Sequence, residues 1–217
     1  MKADADLKKD VESELSWDPS VNATHVGVAV KDGVVTLTGH LDTYAEKYAV
    51  ERAVQRVEGV RALAVELDVK LAPGHVRSDA EIADAAERAF KWHALIPAER
   101  IQVKVEKGWV TLTGEVDWEY QRRHAESVVR PLTGVVAVSN HIRLKVQATP
   151  ANITARIREA LTRQAEREAK GIEVNVTGST ATLRGTVHSW PERAAAQGAA
   201  WSAPGITSVV NELKIGR

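Results

Sequence analysis

The 217-residue chain has no cysteine, one methionine and one phenylalanine, and aromatic residues make up only 5% of it. Without cysteine there is no disulfide framework, no thiolate nucleophile and no thiolate metal site. Long apolar runs are missing too: no stretch approaches the roughly 20 apolar residues a membrane-spanning helix needs. The opening Met1-Lys2-Ala3-Asp4-Ala5-Asp6-Leu7-Lys8-Lys9-Asp10 is charged and carries neither an apolar core nor a small-residue cleavage site of an export signal. The expectation is a soluble, cytoplasmic protein; a chain trimmed of an export signal would read identically, which keeps a periplasmic location as the alternative. Excess charge of one sign is also absent, with 29 Lys and Arg against 29 Asp and Glu. A neutral total argues against bulk electrostatic binding to nucleic acid. The charge is uneven, however: residues 1–74 carry −4, residues 75–147 +1 and residues 148–217 +3.

What is present is an internal repeat. Val30-Lys31-Asp32-Gly33-Val34-Val35-Thr36-Leu37-Thr38-Gly39 returns as Val105-Glu106-Lys107-Gly108-Trp109-Val110-Thr111-Leu112-Thr113-Gly114, and more loosely as Val176 through Gly185. Gly59-Val60, Gly134-Val135 and Gly205-Ile206 keep the same offsets, 75 and then 71 residues. The copies align without gaps between these landmarks, so the chain is a three-module array, with expected limits 1–71, 77–147 and 149–217. Each module is near the lower size limit for an independent core. The linkers Ala72-Pro73-Gly74-His75 and Ala148-Thr149-Pro150-Ala151 are short and contain proline, which keeps the modules close.

Each module reads helix, strand, strand, helix, strand. Leu7, Val11 and Leu15, then Ile82, Ala86 and Phe90, then Ile153, Ile157 and Leu161 form the apolar stripe of the first helix. Ser78-Asp79-Ala80-Glu81 is a capping-box signature, and Thr149-Pro150 reads as a cap followed by proline at the first helical position. The first strand alternates (Val26, Val28, Val30 and their equivalents), as a half-buried strand must. Asp32-Gly33, Lys107-Gly108 and Gly178-Ser179 supply tight hairpin turns. Gly39, Gly114 and Gly185 fall in phase with the inward residues of the second strand, which predicts a structural role in close backbone or helix approach. Gly59, Gly134 and Gly205 form a second set of structural glycines. Thr43-Tyr44-Ala45-Glu46 and Ser189-Trp190-Pro191-Glu192 cap the second helix. That helix buries only Ala196, Ala199, Ala200 and Ala203 in the third module and contains Gly198, which costs about 1 kcal/mol of propensity; the third module is expected to be the least stable. Inward Asn140 and Asn211 on the last strand need hydrogen-bond partners and are expected to tie a loop or helix end.

The expected fold is of the α+β class (α/β sandwich modules): three tandem αββαβ domains, each a three-stranded mixed sheet with two helices on one face. The other sheet face is left open, with Trp109, Thr111 and Thr113 on it in the second module.

The seven histidines contain no close His-x-x-x-His pair, and there is no nucleophile elbow, phosphate loop or dinucleotide fingerprint. No catalytic residue, cofactor or metal is expected. Trp17 and Trp92 align at the end of the first helix, where core closure is the first expectation and a membrane interface or partner groove the second. Trp109, Trp118 and Trp190 are candidates for an interaction surface. Arg156, Arg163 and Arg167 line one side of a helix opposite Ile153, Ile157 and Leu161. A basic amphipathic helix can lie on anionic headgroups, so these arginines and Trp92 are the lipid-binding candidates, against the plainer reading of a solvated face.

The pattern of strand, turn, Val-Thr-Leu-x-Gly, helix, Gly-Val and a final strand with Val-x-Asn-x-Ile/Leu resembles the BON domain family, named for OsmY-like and nodulation proteins. It rests on Gly33, Gly39 and Gly59-Val60, on Gly108, Gly114, Gly134-Val135 and Val138-Ser139-Asn140-His141-Ile142, and on Gly185, Gly205-Ile206 and Val209-Val210-Asn211-Glu212-Leu213. The resemblance implies a non-enzymatic binding module associated with osmotic or envelope stress, with phospholipid membranes or proteins as partners. A protein-interaction or chaperone-like scaffold and a small-ligand or ion sensor are the alternatives.

Overall fold

The computed structural model describes residues 2–146, 150–164 and 171–216. The first module comprises α1 (Asp4–Trp17), β1 (Val26–Lys31), β2 (Val34–Leu41), α2 (Tyr44–Arg56) and β3 (Ala62–Val69). The second comprises α3 (Asp79–Trp92), β4 (Ile101–Glu106), β5 (Trp109–Val116), α4 (Glu119–Val129) and β6 (Ala137–Leu144). The third comprises α5 (Ile153–Gln164), β7 (Ile172–Thr177), β8 (Thr180–Val187), α6 (Trp190–Trp201) and β9 (Ser208–Ile215). Each module holds a three-stranded mixed sheet with the middle strand in sequence at its centre. β1 and β2 pair antiparallel and β2 and β3 parallel; β7, β8 and β9 repeat this. A parallel partner requires a crossover, and the second helix of each module supplies it.

The expected stripes are the buried ones. In the first module Leu7, Val11 and Leu15 of α1 and Val50, Ala53 and Val54 of α2 meet Val35, Leu37 and Leu41 of β2. In the third, Ile153, Ile157 and Leu161 meet Ala181, Leu183 and Val187, and Ala196, Ala199 and Ala200 of α6 are buried with Ala203 just beyond its end. Ser78 and Glu81 close a reciprocal capping box at the start of α3, and Thr43 and Ser189 accept the Glu46 and Glu192 N–H groups at the starts of α2 and α6. α5 begins at Ile153, three residues after Pro150, so the proline forms a turn ahead of the helix instead of its first position; Thr149 lies outside the described residues.

The recurring strand glycine answers to backbone. Gly39, Gly114 and Gly185 have φ of +120°, +135° and +129°, and a Cβ on them would strike the carbonyl oxygens of His25, Arg100 and Gly171 at the entry to the neighbouring strand. The inward asparagines pin strand to helix. Asn140 Nδ2 donates to the Arg122 carbonyl at 3.0 Å and Asn211 Nδ2 to Gln197 Oε1 at 3.2 Å, while each Oδ1 accepts an N–H two residues on.

The chain divides into two compact units, Met1–Glu115 with Gln121–Arg143, and Val116–Tyr120 with Leu144–Arg217. Within the first unit α2 meets the second module. The Arg130 guanidinium lies 3.5 Å from the centre of the Tyr48 ring and pairs with Glu126 at 2.7 Å. Burial pushes the Tyr44 phenol and the Glu51 carboxyl up, and Arg130 opposes both shifts.

Candidate functional site

Trp17 and Trp92 are 84% and 88% exposed. The expectation of core closure fails for a geometric reason. The last buried residues of the two helices are Leu15 and Phe90, and two further residues at 100° each turn the side chain about 200° away from the core. Both tryptophans therefore leave the last turn of their helices pointing outward. Leu95, 46% exposed, follows Trp92 by three residues, and Lys91 precedes it. Beside Trp17, Asp18 accepts the Ser20 hydroxyl at 2.6 Å, Arg56 Nη2 at 2.8 Å and the Ser20 N–H at 3.1 Å. These bonds hold its carboxyl down at about 2. Arg56 also reaches Glu14, which joins the end of α1 to α2.

In the third module Arg156 and Arg163 are exposed, opposite the buried face of α5. Arg167 lies outside the described residues. Arg158 was not singled out by spacing; it turns back to the Val174 carbonyl at 3.5 Å.

The proposed interaction tryptophans divide. Trp109 is 52% exposed on the open face of the second sheet, its Nε1–H donated to Ser139 Oγ at 2.9 Å. Trp118 and Trp190 are half-buried and engaged, Trp190 beneath the Arg193 guanidinium at 5.6 Å. Trp201 packs against the third core. Ser139 carried no signal in the sequence, because its value depends on the strand lying beside it. The same is true of two ring pairs, His25 with His40 at 4.6 Å and His93 with His124 at 5.2 Å. Among the described residues no three His, Asp or Glu side chains gather as a metal-ligand set, and no helix is long and apolar enough to cross a membrane.

A repeated αββαβ unit whose distinctive side chains sit on surfaces defines a tandem α+β module protein. The chain belongs to the BON domain family, whose model matches residues 3–70, 78–146 and 149–217. It is similar to osmotically-inducible protein Y of Escherichia coli (strain K12), 29% identical over 146 residues that make up 65% of this chain and 73% of that one. Among solved structures, the C-terminal domain of CdsD, the structural protein of the Type III secretion system of Chlamydia trachomatis, aligns over 98% of both chains at 15% identity with a TM-score of 0.26. A second CdsD structure aligns over 96% of this chain and 91% of its own at 16% identity, again with a TM-score of 0.26.

Proposed function

We propose that this is a non-enzymatic protein that attaches reversibly to phospholipid surfaces during osmotic or envelope stress, using the modules 1–71, 77–147 and 149–217 as its working units. The observation that carries the reading is the pair Trp17 and Trp92, both more than four-fifths exposed at the same position of two modules. Indole is amphipathic and favours the headgroup level of a bilayer, and two such side chains outside any core are costly to keep in water without an apolar partner. Family membership and the osmotic inducibility named for the Escherichia coli relative support the setting. Arg156 and Arg163 add cationic contact from α5, an attraction that salt screens.

The test is co-sedimentation with vesicles of phosphatidylglycerol and phosphatidylcholine. Binding at low salt, with a blue shift of tryptophan emission, is expected, and Trp17→Ala with Trp92→Ala should weaken it at least about tenfold. Charge reversal at Arg156 and Arg163 should weaken the salt-sensitive part. Equal sedimentation of the double tryptophan variant and the parent protein would reject the reading. The working location is the cytoplasmic side of a membrane, with the periplasm as alternative; cell fractionation separates the two.

A further inference from the structure

The open sheet face of the second module differs from its counterparts most of all in one large side chain. Trp109 occupies the position held by Val34 in the first module and Thr180 in the third. A groove of about 490 Å³ lies there, lined by Trp109, Thr111, Ser139, His141 and the Lys104–Glu106 pair, with Lys107 at its turn end. Apart from the indole, every one of these side chains is polar. The indole N–H is already given to Ser139 Oγ, which fixes the ring and leaves its face as the surface on offer. Lys104 Nζ and Glu106 Oε2 stand 3.1 Å apart and neutralise each other. The lining thus offers a flat aromatic face, two hydroxyls, an imidazole, a paired acid and base and the Lys107 ammonium at the turn end, which include both donors and acceptors. The indole and both hydroxyls rise from strands, so their spacing is held by the sheet.

We propose that this groove binds an uncharged oligosaccharide, with a sugar ring stacked on Trp109. A sugar ring has an apolar C–H face that suits an aromatic plane and a rim of hydroxyls that both donate and accept. The groove volume is in the range of small-molecule sites. The pairing of Lys104 with Glu106 favours a neutral ligand over a strongly anionic one beside the indole, and the charged comparison sugar tests whether Lys107 at the turn end overrides it. Ser139 and His141 are matched by Ala64 and Glu66 in the first module and by Val210 and Glu212 in the third, so the serine hydroxyl and the imidazole are particular to the second module, whereas Thr111 recurs as Thr36 and Thr182.

The experiment is a titration of the full-length protein with cellotetraose, maltotetraose and tetra-N-acetylchitotetraose, with tetragalacturonate as a charged comparison. Binding is followed by amide and indole NMR shifts. At least one neutral sugar should give saturable shifts at the Trp109 indole and at the Thr111 and Ser139 amides. Trp109→Ala should weaken binding at least about tenfold, whereas Trp109→Phe, which keeps an aromatic face, should retain most of it. Far-UV circular dichroism confirms that both variants fold; if Trp109→Ala does not, Thr111→Val serves in its place, with the same sign and a smaller loss. The Trp17→Ala, Trp92→Ala variant should bind sugar as the parent does, so this site and the lipid reading fail separately. Absence of neutral-sugar binding up to ~10 mM, tighter binding of tetragalacturonate, or an unchanged Trp109→Ala affinity would each overturn the proposal. So would a parent dimer that Trp109→Ala converts to monomer, which would assign the face to a second copy of the chain.

Discussion

Gly114 sits at φ +135° with the Arg100 carbonyl where its Cβ would be. Two costs add on substitution: a backbone conformation disfavoured for any L side chain, and a collision with main chain that cannot rotate away. Gly114→Ala is expected to destabilise the protein by about 2 kcal/mol or more, read from the urea midpoint at unchanged slope. Asp18 carries a different kind of information. Its folded carboxyl titrates at about 2 against an ordinary 3.8, chiefly because the Ser20 hydroxyl and then Arg56 bond the ionised form. Between those values the unfolded chain binds more protons, so the contribution is complete above about pH 5 and fades as pH falls towards 2. Asp18→Asn should therefore lower the melting temperature at neutral pH and not at the acid end, and a pH series of thermal melts checks it. The glycine's structural role was legible because the residue recurred in phase with core positions. The Asp18 cluster was not, because Arg56 reaches it across 38 residues of sequence.

At the level of elements, the hairpin turns show what one side chain does to a repeat. In the first two modules the turn residues are both left-handed, with φ of 51° and 74° at Asp32-Gly33 and 52° and 75° at Lys107-Gly108. The carboxylate of Asp4 accepts both turn N–H groups of the first hairpin at 2.8 and 3.1 Å, and that of Asp79 both of the second at 2.8 Å. A residue without glycine's freedom, Asp32 or Lys107, is thereby held in a left-handed conformation. In the third module the aligned residue is Pro150, which has no carboxylate, and the turn is Gly178-Ser179, with only the glycine left-handed. Asp79→Ala should cost about 1.5–3 kcal/mol, the value of hydrogen bonds to a charged group, measured by urea unfolding. Gly198 in α6 has nothing within 4 Å of where a Cβ would stand. Gly198→Ala should raise stability by about 0.5–1 kcal/mol through helix propensity, visible as a higher melting temperature. The small alanine face of α6 is buried all the same.

For the molecule as a whole, the contact to test is the one between modules in the first compact unit. Arg130, with only 15% of its side chain exposed, stacks on Tyr48 of the preceding module while paired to Glu126. A double-mutant cycle with Tyr48→Leu and Arg130→Met should return a coupling of about 0.5–2 kcal/mol, as for a partly desolvated cation–π pair. A coupling near zero would show that the two modules do not depend on each other through this pair. Nothing in the repeat foretells it, because a contact between copies depends on residues that differ from copy to copy: the position matching Arg130 is Gln55 in the first module and Trp201 in the third.

Period, phase and turn chemistry were enough to establish the module, its element order and its buried stripes; the mixed sheet was an expectation that the parallel pairing of β2 with β3 and of β8 with β9 bears out. Those features depend on local geometry, 3.6 residues per helical turn and two per strand, and a threefold repetition averages out accidents at single positions. The surfaces were settled only on folding. Trp17 and Trp92 turned outward because of where the last core residue falls on each helix, and Trp109 acquired a fixed orientation because Ser139 came to lie beside it from 30 residues away. Exposure and pairing are properties of three-dimensional neighbours, and the side chains proposed for lipid and sugar contact are ones that the core does not use.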